Sequence, residues 1–462
     1  MPDDRYNFAG KKVLIMGLGR FGGGVDCAQF AARAGAKVTV TDSAPAEKLS
    51  DSINKLREYP DIEFHLGSHD AADFKEADII IANPAVPDDN EFLEIARRNN
   101  KFVTYQINIF FELCPAQIVG ITGANGKSTT TALTAHLLRN TSIDNVWLSG
   151  NIGNQPLLTI LGKIKADDLV VLELSSFQLE SLAQIAKAPN VALLTNLTPN
   201  HLDRHGTFEN YCAAKENIFK YQKLNNKYPA VSIFNAEDKI GAEWFEKYSE
   251  EPGRICIRFS SGDVSKDICD SFKLPGRANL SNLAAAITVA KHFGIDDEQI
   301  KKSLPEFKPL PHRLEFIAEI NGVSWYNDSI ATTPQSAIAA LEAFEQPKII
   351  IAGGYDKDLP FDELGQKIAA NAKAAVLLGQ TAAKIASAIR KTQDTRHKTQ
   401  DRGLKTHIEI VNSLAKAVQL TARLAAPGDV VLLSPACASY DMFENFQQRG
   451  LEFTKLVRAF NS

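Results

Sequence analysis

Short apolar runs of strand length punctuate the whole chain, and each is followed by a turn containing Gly, Asn or Pro and then by a helical pattern. The runs are nearly continuous stretches of Val, Ile and Leu rather than alternations of apolar and polar residues. Strands buried on both faces of a parallel sheet read this way. Three groups are expected. The first is Lys12–Met16, Lys37–Thr41, Ile62–Leu66, Asp78–Ala82 and Phe102–Tyr105. The second is Gln117–Thr122, Leu169–Leu174, Val191–Thr195 and Val231–Asn235. The third is Lys348–Ala352, Ala375–Leu378, Ile408–Val411 and Asp429–Ser434. Strands that alternate with helices define an α/β fold class. The groups separate near Cys114-Pro115 and Pro311–Glu315, which predicts three α/β domains, residues 1–113, 114–313 and 314–462. No short-period repeat runs through them, so they read as separate sandwiches and not as a solenoid.

Length and composition agree with that division and exclude several classes. At roughly 100–200 residues per domain, 462 residues predict two to four domains. A hydrophobic share of 44% and a charged share of 23% are ordinary for a globular protein and exclude a disordered chain or a collagen-like fibre. Lys and Arg total 51 against 55 Asp and Glu, a net charge of −4, which argues against a nucleic-acid partner. The six cysteines form no CxxC pair, and their scatter fits a reducing compartment. The N-terminus is polar, and no apolar run approaches the roughly 18 residues of a membrane span, so a cytoplasmic protein is expected.

Two glycine loops carry the candidate chemistry. Gly17-Leu18-Gly19-Arg20-Phe21-Gly22 follows the first strand and opens a helix, and Asp42 ends the next strand 20 residues beyond Gly22. That is the spacing of a dinucleotide fingerprint, in which backbone amides face a pyrophosphate and the acid faces a ligand hydroxyl. The loop alone reads as NAD(P) binding, as binding of some other diphosphate nucleotide, or as a turn that merely tightens a βαβ unit. The second loop, Gly123-Ala124-Asn125-Gly126-Lys127-Ser128-Thr129, follows the strand Gln117–Thr122. It is a variant P-loop: a strict pattern needs Gly at 121, where this chain has Ile. Its amides would cradle phosphate at a helix N-terminus, Lys127 would neutralise the β- and γ-phosphates, and Ser128 would ligate Mg²⁺. A dehydrogenase has no use for the second loop and a simple ATPase none for the first. The pair predicts ATP-driven chemistry on a nucleotide-linked substrate.

With these two loops, the chain resembles the Mur ligases, which build the peptide stem of bacterial peptidoglycan. The resemblance rests on Gly120–Thr129, Gly150-Asn-Ile-Gly153, Glu173–Glu180, His201-Leu-Asp-Arg204, Ala213-Ala-Lys215, Asn279-Leu-Ser-Asn282, Pro311–Glu315, Tyr326-Asn-Asp-Ser329 and Ser434–Asp441 with Asn445-Phe446. The segment Glu173-Leu-Ser-Ser-Phe-Gln-Leu-Glu180 is similar to the form in the D-glutamate-adding branch. The resemblance covers essentially the whole chain. It implies a Rossmann-like N-terminal domain, a central P-loop ATPase-like domain with a mostly parallel sheet, and a Rossmann-like C-terminal domain. It also implies an ATP- and Mg²⁺-dependent ligase that adds D-glutamate to UDP-N-acetylmuramoyl-L-alanine for peptidoglycan precursors. The first loop would then hold UDP rather than NAD. A monomer is expected.

The resemblance further implies roles for individual residues. Gly17, Leu18, Gly19, Arg20, Asp42, Asn83, Asn151 and Gly153 would contact the UDP-linked substrate. Gly123, Ala124, Asn125, Gly126, Lys127, Ser128, Thr129, Asn282 and Arg313 would contact ATP. Ser128, Glu173, His201 and a carbamylated Lys215 would hold Mg²⁺, with Lys127 and Asp328 completing the catalytic set. Thr332, Lys357, Ser439 and Phe446 would form the D-glutamate pocket. By pattern alone, Glu173 could be an ion-pair partner, His201 an exposed loop residue, Lys215 a solvated helix lysine, Ser439 a helix cap and Phe446 core. Cys437 has no His partner in sequence and reads as packing.

Four positions depart from the family pattern. Asn200 stands for an Asp before the metal-site His, Ala278 for a His, Ile330 for a Lys and Ala124 for a hydroxyl residue. Ile330 removes a cation expected beside the transferring phosphate, which should slow transfer unless another group compensates. Three rivals follow: a sibling ligase with another acceptor, such as another Mur ligase or a folylpolyglutamate synthase; an impaired nucleotide-binding paralogue that regulates cell-wall assembly; and, from the first loop alone, an NAD-dependent oxidoreductase.

Overall fold

The computed structural model describes residues 4–19, 22–139, 143, 145–152, 156–224, 228–398 and 405–460. Among them, strands form three sheets. The first contains β1 (Lys12–Met16), β2 (Lys37–Asp42), β3 (Glu63–Leu66), β4 (Ile79–Ala82) and β5 (Phe102–Tyr105), in the order β3-β2-β1-β4-β5. Every pairing in it is parallel. The second contains β6 (Gln117–Thr122), β7 (Val146–Gly150), β8 (Leu169–Glu173), β9 (Val191–Leu194), β10 (Ala230–Asn235) and β11 (Arg254–Phe259), ordered β11-β10-β9-β6-β8-β7 and again wholly parallel. The third contains β12 (Glu315–Ile320), β13 (Val323–Asn327), β14 (Lys348–Ala352), β15 (Ala372–Leu377), β16 (His407–Ile410) and β17 (Val430–Leu433), ordered β12-β13-β17-β14-β15-β16. Only its β12–β13 hairpin is antiparallel.

The continuous apolar runs are the central strands: β4, β8, β9, β14 and β17 are buried at every position. The pattern did not reveal β7, β11, β12 or β13. Strands β11 and β12 are sheet edges whose burial is partial and whose sequences, Arg-Ile-Cys-Ile-Arg-Phe and Glu-Phe-Ile-Ala-Glu-Ile, carry charge. Strand β13 alternates between buried and half-buried positions. An edge strand has a solvated face, so its apolar run is broken.

The chain forms two compact units. One holds residues 1–264 and 282–303, with the first two sheets; the other holds 265–281 and 304–462, with the third. In each sheet the strand order reverses at a point where consecutive crossovers diverge: β1 and β4, β6 and its neighbours, β17 and β14. The crevice outside the carboxyl ends of such strands is where open α/β sheets bind ligands. No described helix is long and apolar enough to cross a membrane.

The first glycine loop shows how tightly these ends are built. Gly17, Gly19 and Gly22 take φ of 91°, 60° and 91°, a left-handed range that favours glycine. Gly24, two residues past the fingerprint, is where helix Gly23–Arg33 meets the strand exit: a Cβ there would lie 2.4 Å from the Leu18 carbonyl oxygen and 2.6 Å from that of Gly17. Gly24→Ala therefore should lower stability by about 1–3 kcal/mol, read as a lower urea midpoint, because backbone oxygens cannot yield to the methyl group.

Candidate active site

In the first sheet the glycine loop closes on itself. Gly17 N–H donates to the Thr41 carbonyl at 2.8 Å, and Gly19 N–H donates to Asp42 Oδ2 at 3.0 Å. Asp42 Oδ1 accepts from Ala44 N–H at 2.8 Å. Asp42 thus already braces the loop that it would serve. Asn83 lies at the end of β4 with its Cβ against Gly17, and its Nδ2 donates to the Gly17 carbonyl at 3.4 Å. The expected UDP-side residues Gly17, Leu18, Gly19, Asp42 and Asn83 therefore gather at the β1–β4 reversal; Arg20 and Gly153 lie outside the described residues.

In the second sheet, Gly126 has φ of 81° and caps the helix Lys127–Leu138. A Cβ at Gly123 would sit 1.9 Å from Thr195 Oγ1, and one at Gly126 would sit 2.2 Å from Asn282 Oδ1. Both glycines thus make room for neighbouring polar groups. Asn196 braces the loop: its carbonyl accepts from Ala124 N–H at 2.8 Å, and its Oδ1 accepts from Asn125 N–H at 3.0 Å. Lys127 Nζ folds back onto the Ala124 carbonyl at 2.8 Å. Thr130 Oγ1 donates to Asn282 Oδ1 at 3.2 Å, which ties the helix after the loop to helix Arg277–His292. Sequence reasoning did not single out Thr122, Thr195 or Asn196. Their signal was available, since each follows or ends an apolar strand at the edge where ligands bind.

Glu173, 2% exposed, ends β8 beside this loop. Its Oε1 accepts from Asn151 Nδ2 at 3.0 Å, while its Oε2 is buried with no hydrogen-bond partner. Lys215 is equally buried at 2% exposed, on helix Phe208–Lys220, and its Nζ donates to Thr122 Oγ1 at 3.0 Å. Burial above all, and then the Lys127 charge, drive the Lys215 amine well towards its neutral form, while the Glu173 carboxylate opposes them. Lys215 is therefore not a solvated helix lysine. The orphaned carboxylate oxygen and a serine at the loop are oxygen donors of the kind a hard divalent cation takes. His201 stands apart from this cluster in character: it is exposed, has φ of 52°, and packs edge-on against Phe177 at 5.3 Å. Asn200 Oδ1 accepts from the His201 amide at 2.9 Å. No group of three or more His, Cys, Asp and Glu among the described residues could hold a metal by itself.

The third sheet brings its own cluster to the β13, β14 and β17 ends. Asp328 is buried, accepts from Ser434 Oγ at 2.7 Å, and accepts from Leu314 N–H at 3.2 Å. Arg449 is buried and donates to the Ser329 hydroxyl and carbonyl at 2.9 and 2.8 Å and to the Cys437 carbonyl at 3.1 Å. It thereby joins the loops after β13 and β17. Ser439 is buried with its hydroxyl unpartnered, and no helix starts there, so it is not a cap. Thr332 and Phe446 are half-buried and Lys357 is exposed. Burial pushes the Cys437 thiol up to about 11, which suits packing and not nucleophilic attack. Arg313 lies in this same unit, within the turn 311–314 that precedes β12.

Three family models match along the chain. Residues 11–104 match the Mur ligase MurD-like N-terminal domain, 121–273 the Mur ligase middle domain, and 312–437 the Mur ligase glutamate ligase domain. The chain belongs to the Mur ligase family, whose members use ATP. Within it, the chain falls with the UDP-N-acetylmuramoylalanine–D-glutamate ligases: it is 40% identical to the one from Roseiflexus sp. (strain RS-1), covering 98% of this chain and 99% of that one. It is 38% identical to the one from Acetivibrio thermocellus, covering 99% and 98%. Among solved structures, the UDP-N-acetylmuramate-alanine ligase MurC of Thermotoga maritima shares the fold at a TM-score of 0.60 and 19% identity, over 97% of this chain and 99% of that one. The MurF ligase of Thermotoga maritima in complex with ADP does so at 0.55 and 19%, over 98% and 96%.

The buried carboxyl of Asp328 is pushed up to about 7 by desolvation, against the Ser434 hydrogen bond, the Arg313 charge, the Leu314 amide and the Arg449 charge. The folded chain thus keeps a proton that the unfolded chain releases near its usual 3.8. Stability should therefore fall as pH rises from about 4 through about 7, and level off above. Asp328→Asn cannot titrate, so its urea midpoint should gain on the wild type across that window; parallel curves would contradict the assignment.

Proposed function

We infer that this protein joins D-glutamate to UDP-N-acetylmuramoyl-L-alanine at the expense of ATP. The observation that carries this reading is one chain holding a nucleotide-type glycine loop, a P-loop beside a buried carboxylate and lysine, and a third cluster with an unpartnered buried serine, in the order of its relatives. The γ-phosphoryl group passes to the acceptor carboxylate and gives an acyl phosphate. The D-glutamate amine attacks its carbonyl carbon, the C–N bond forms as the C–O bond to phosphate breaks, and the amine gives up a proton. Both steps gather negative charge on neighbouring oxygens, so oriented cations and amides lower the barrier.

The three parts 1–113, 114–313 and 314–462 then divide the work into acceptor, ATP and amino acid. Gly17, Leu18, Gly19, Asp42, Asn83 and Asn151 serve the UDP-linked substrate. Residues 123–129 with Asn282 and Arg313 serve ATP, and Thr332, Lys357, Ser439 and Phe446 serve D-glutamate. Ser128, Glu173, His201 and carbamylated Lys215 are the residues that would hold Mg²⁺, which supplies charge neutralisation on the phosphate oxygens. The neutral tendency of Lys215 supports carbamylation, because only the free amine adds CO₂, losing a proton as it becomes a carbamate. The protein works as a cytoplasmic monomer.

The decisive experiment is ADP release measured over a panel of D- and L-amino acids with UDP-N-acetylmuramoyl-L-alanine and Mg²⁺. D-glutamate alone should support turnover; preference for another amino acid would favour a sibling ligase, and no turnover an impaired paralogue. Ile330 is half-buried with its N–H on the His312 carbonyl at 3.1 Å, so a longer side chain has solvent within reach. Ile330→Lys should raise kcat by about tenfold or more if the missing cation limits phosphoryl transfer. Removing bicarbonate from enzyme and buffer should depress activity, and adding it back should restore it.

A further inference from the structure

Asp26 plays no part in the fingerprint or in the family motifs, yet it is among the best-partnered charges in the molecule. It lies in the first turn of helix Gly23–Arg33, four residues past Gly22, and is 5% exposed. Its Oδ2 accepts from Leu157 N–H at 2.9 Å, Leu158 N–H at 2.7 Å and Gln106 Nε2 at 2.7 Å, and its Oδ1 accepts from Thr159 N–H at 3.0 Å. A carboxylate this buried is tolerated only because four donors replace its water. Three of those donors are consecutive main-chain amides, and amides that converge on one anion fix the backbone that carries them. Leu157 and Leu158 are themselves buried, so without the carboxylate these amides would be left unpaired out of reach of water.

The captured turn is tied back to the end of β7, and Asn151, just beyond β7, is tied to Glu173. Asn151 N–H donates to the Glu173 carbonyl at 2.9 Å and Asn151 Nδ2 to its Oε1 at 3.0 Å, while Ser149 Oγ holds the Pro156 carbonyl at 2.8 Å. On the other side, Gln106, which donates to Asp26, lines a small cavity with Gly17, Gly23, Gly24, Asn83 and Pro84 at the first glycine loop. One carboxylate therefore joins the wall of the first loop to the turn that Ser149, two residues before Asn151, also holds.

We propose that Asp26 is a positioning residue for the acceptor: its clamp on residues 157–159 sets the turn that Ser149 holds through Pro156, and so keeps Asn151, just beyond β7, in register with the first glycine loop, so that one UDP-linked molecule spans both. This rests on the reading of that loop as the acceptor's nucleotide site. Amide hydrogen exchange tests the clamp directly. In the wild type, saturating UDP-N-acetylmuramoyl-L-alanine slows exchange at 157–159 and ATP alone does not. In Asp26→Asn, those amides exchange faster by about tenfold or more while the β6 and β8 amides keep their protection. The same variant raises KM for the acceptor between about tenfold and a hundredfold, and leaves KM for ATP and kcat within about twofold. An equal rise in both KM values, or unchanged exchange at 157–159, overturns the proposal. Should Asp26→Asn fail to fold, the wild-type exchange comparison decides alone. An acceptor that binds by titration without slowing 157–159 defeats the clamp only; an acceptor that does not bind at all defeats the reading of the loop and the clamp with it.

Discussion

The burial of ionisable side chains around the carboxyl ends of parallel strands is the constraint on which the rest of this molecule depends. A parallel sheet covered on both faces offers no water to a polar side chain except at its ends. Glu173, Asp42 and Asp328 stand there, Asp26 lies in the first turn of the helix after β1, and Lys215 reaches the end of β6 from helix Phe208–Lys220; all are buried. Each desolvated polar group must find donors or acceptors nearby, and the local structure is arranged around that need. Asp42 takes the amides of its own glycine loop, Asp26 takes a turn of the second sheet, and Asp328 takes a serine and an amide. Glu173 is the exception, with one oxygen satisfied and one not. The unsatisfied oxygen sits beside the P-loop, where a cation would meet it.

The glycines follow from the same constraint. Backbone must pass close to backbone where loops leave a strand-order reversal, and Gly24, Gly123 and Gly126 stand where a methyl group would collide with a carbonyl, a hydroxyl or an amide oxygen. These contacts explain why the departures from the family pattern differ in weight. Ala124 is buried and held through its backbone by Asn196, so a lost hydroxyl there removes little. Asn200 keeps its hydrogen bond to the His201 amide but not the charge of an aspartate. Ile330 keeps its backbone bond as well, and what it lacks is a cation that no hydrogen bond replaces.

Much of this was legible in the chain. The continuous apolar runs located the central strands, and the two glycine loops fell where strand exits and helix starts must lie. The edge strands β11 and β12 were not legible, because their solvated faces carry Arg and Glu and break the run. Thr195 and Asn196 carry only the signal that each ends or follows an apolar strand, a position that many turn residues share. Lys215 and Ser439 were ambiguous for a related reason: neither residue type announces whether it will be buried, and both are.

The sequence by itself determined the α/β class, the two phosphate-type loops and the family, since periodicity and short motifs are local properties that a linear reading preserves. Tertiary structure alone decided which groups meet. It paired Asp26 with amides more than 130 residues away, set Asn282 against Gly126, left one oxygen of Glu173 without a partner, and drove the Lys215 amine towards neutrality. Those facts depend on burial and on distance in space, and both are fixed only when the sheets have formed and water has been excluded from their ends.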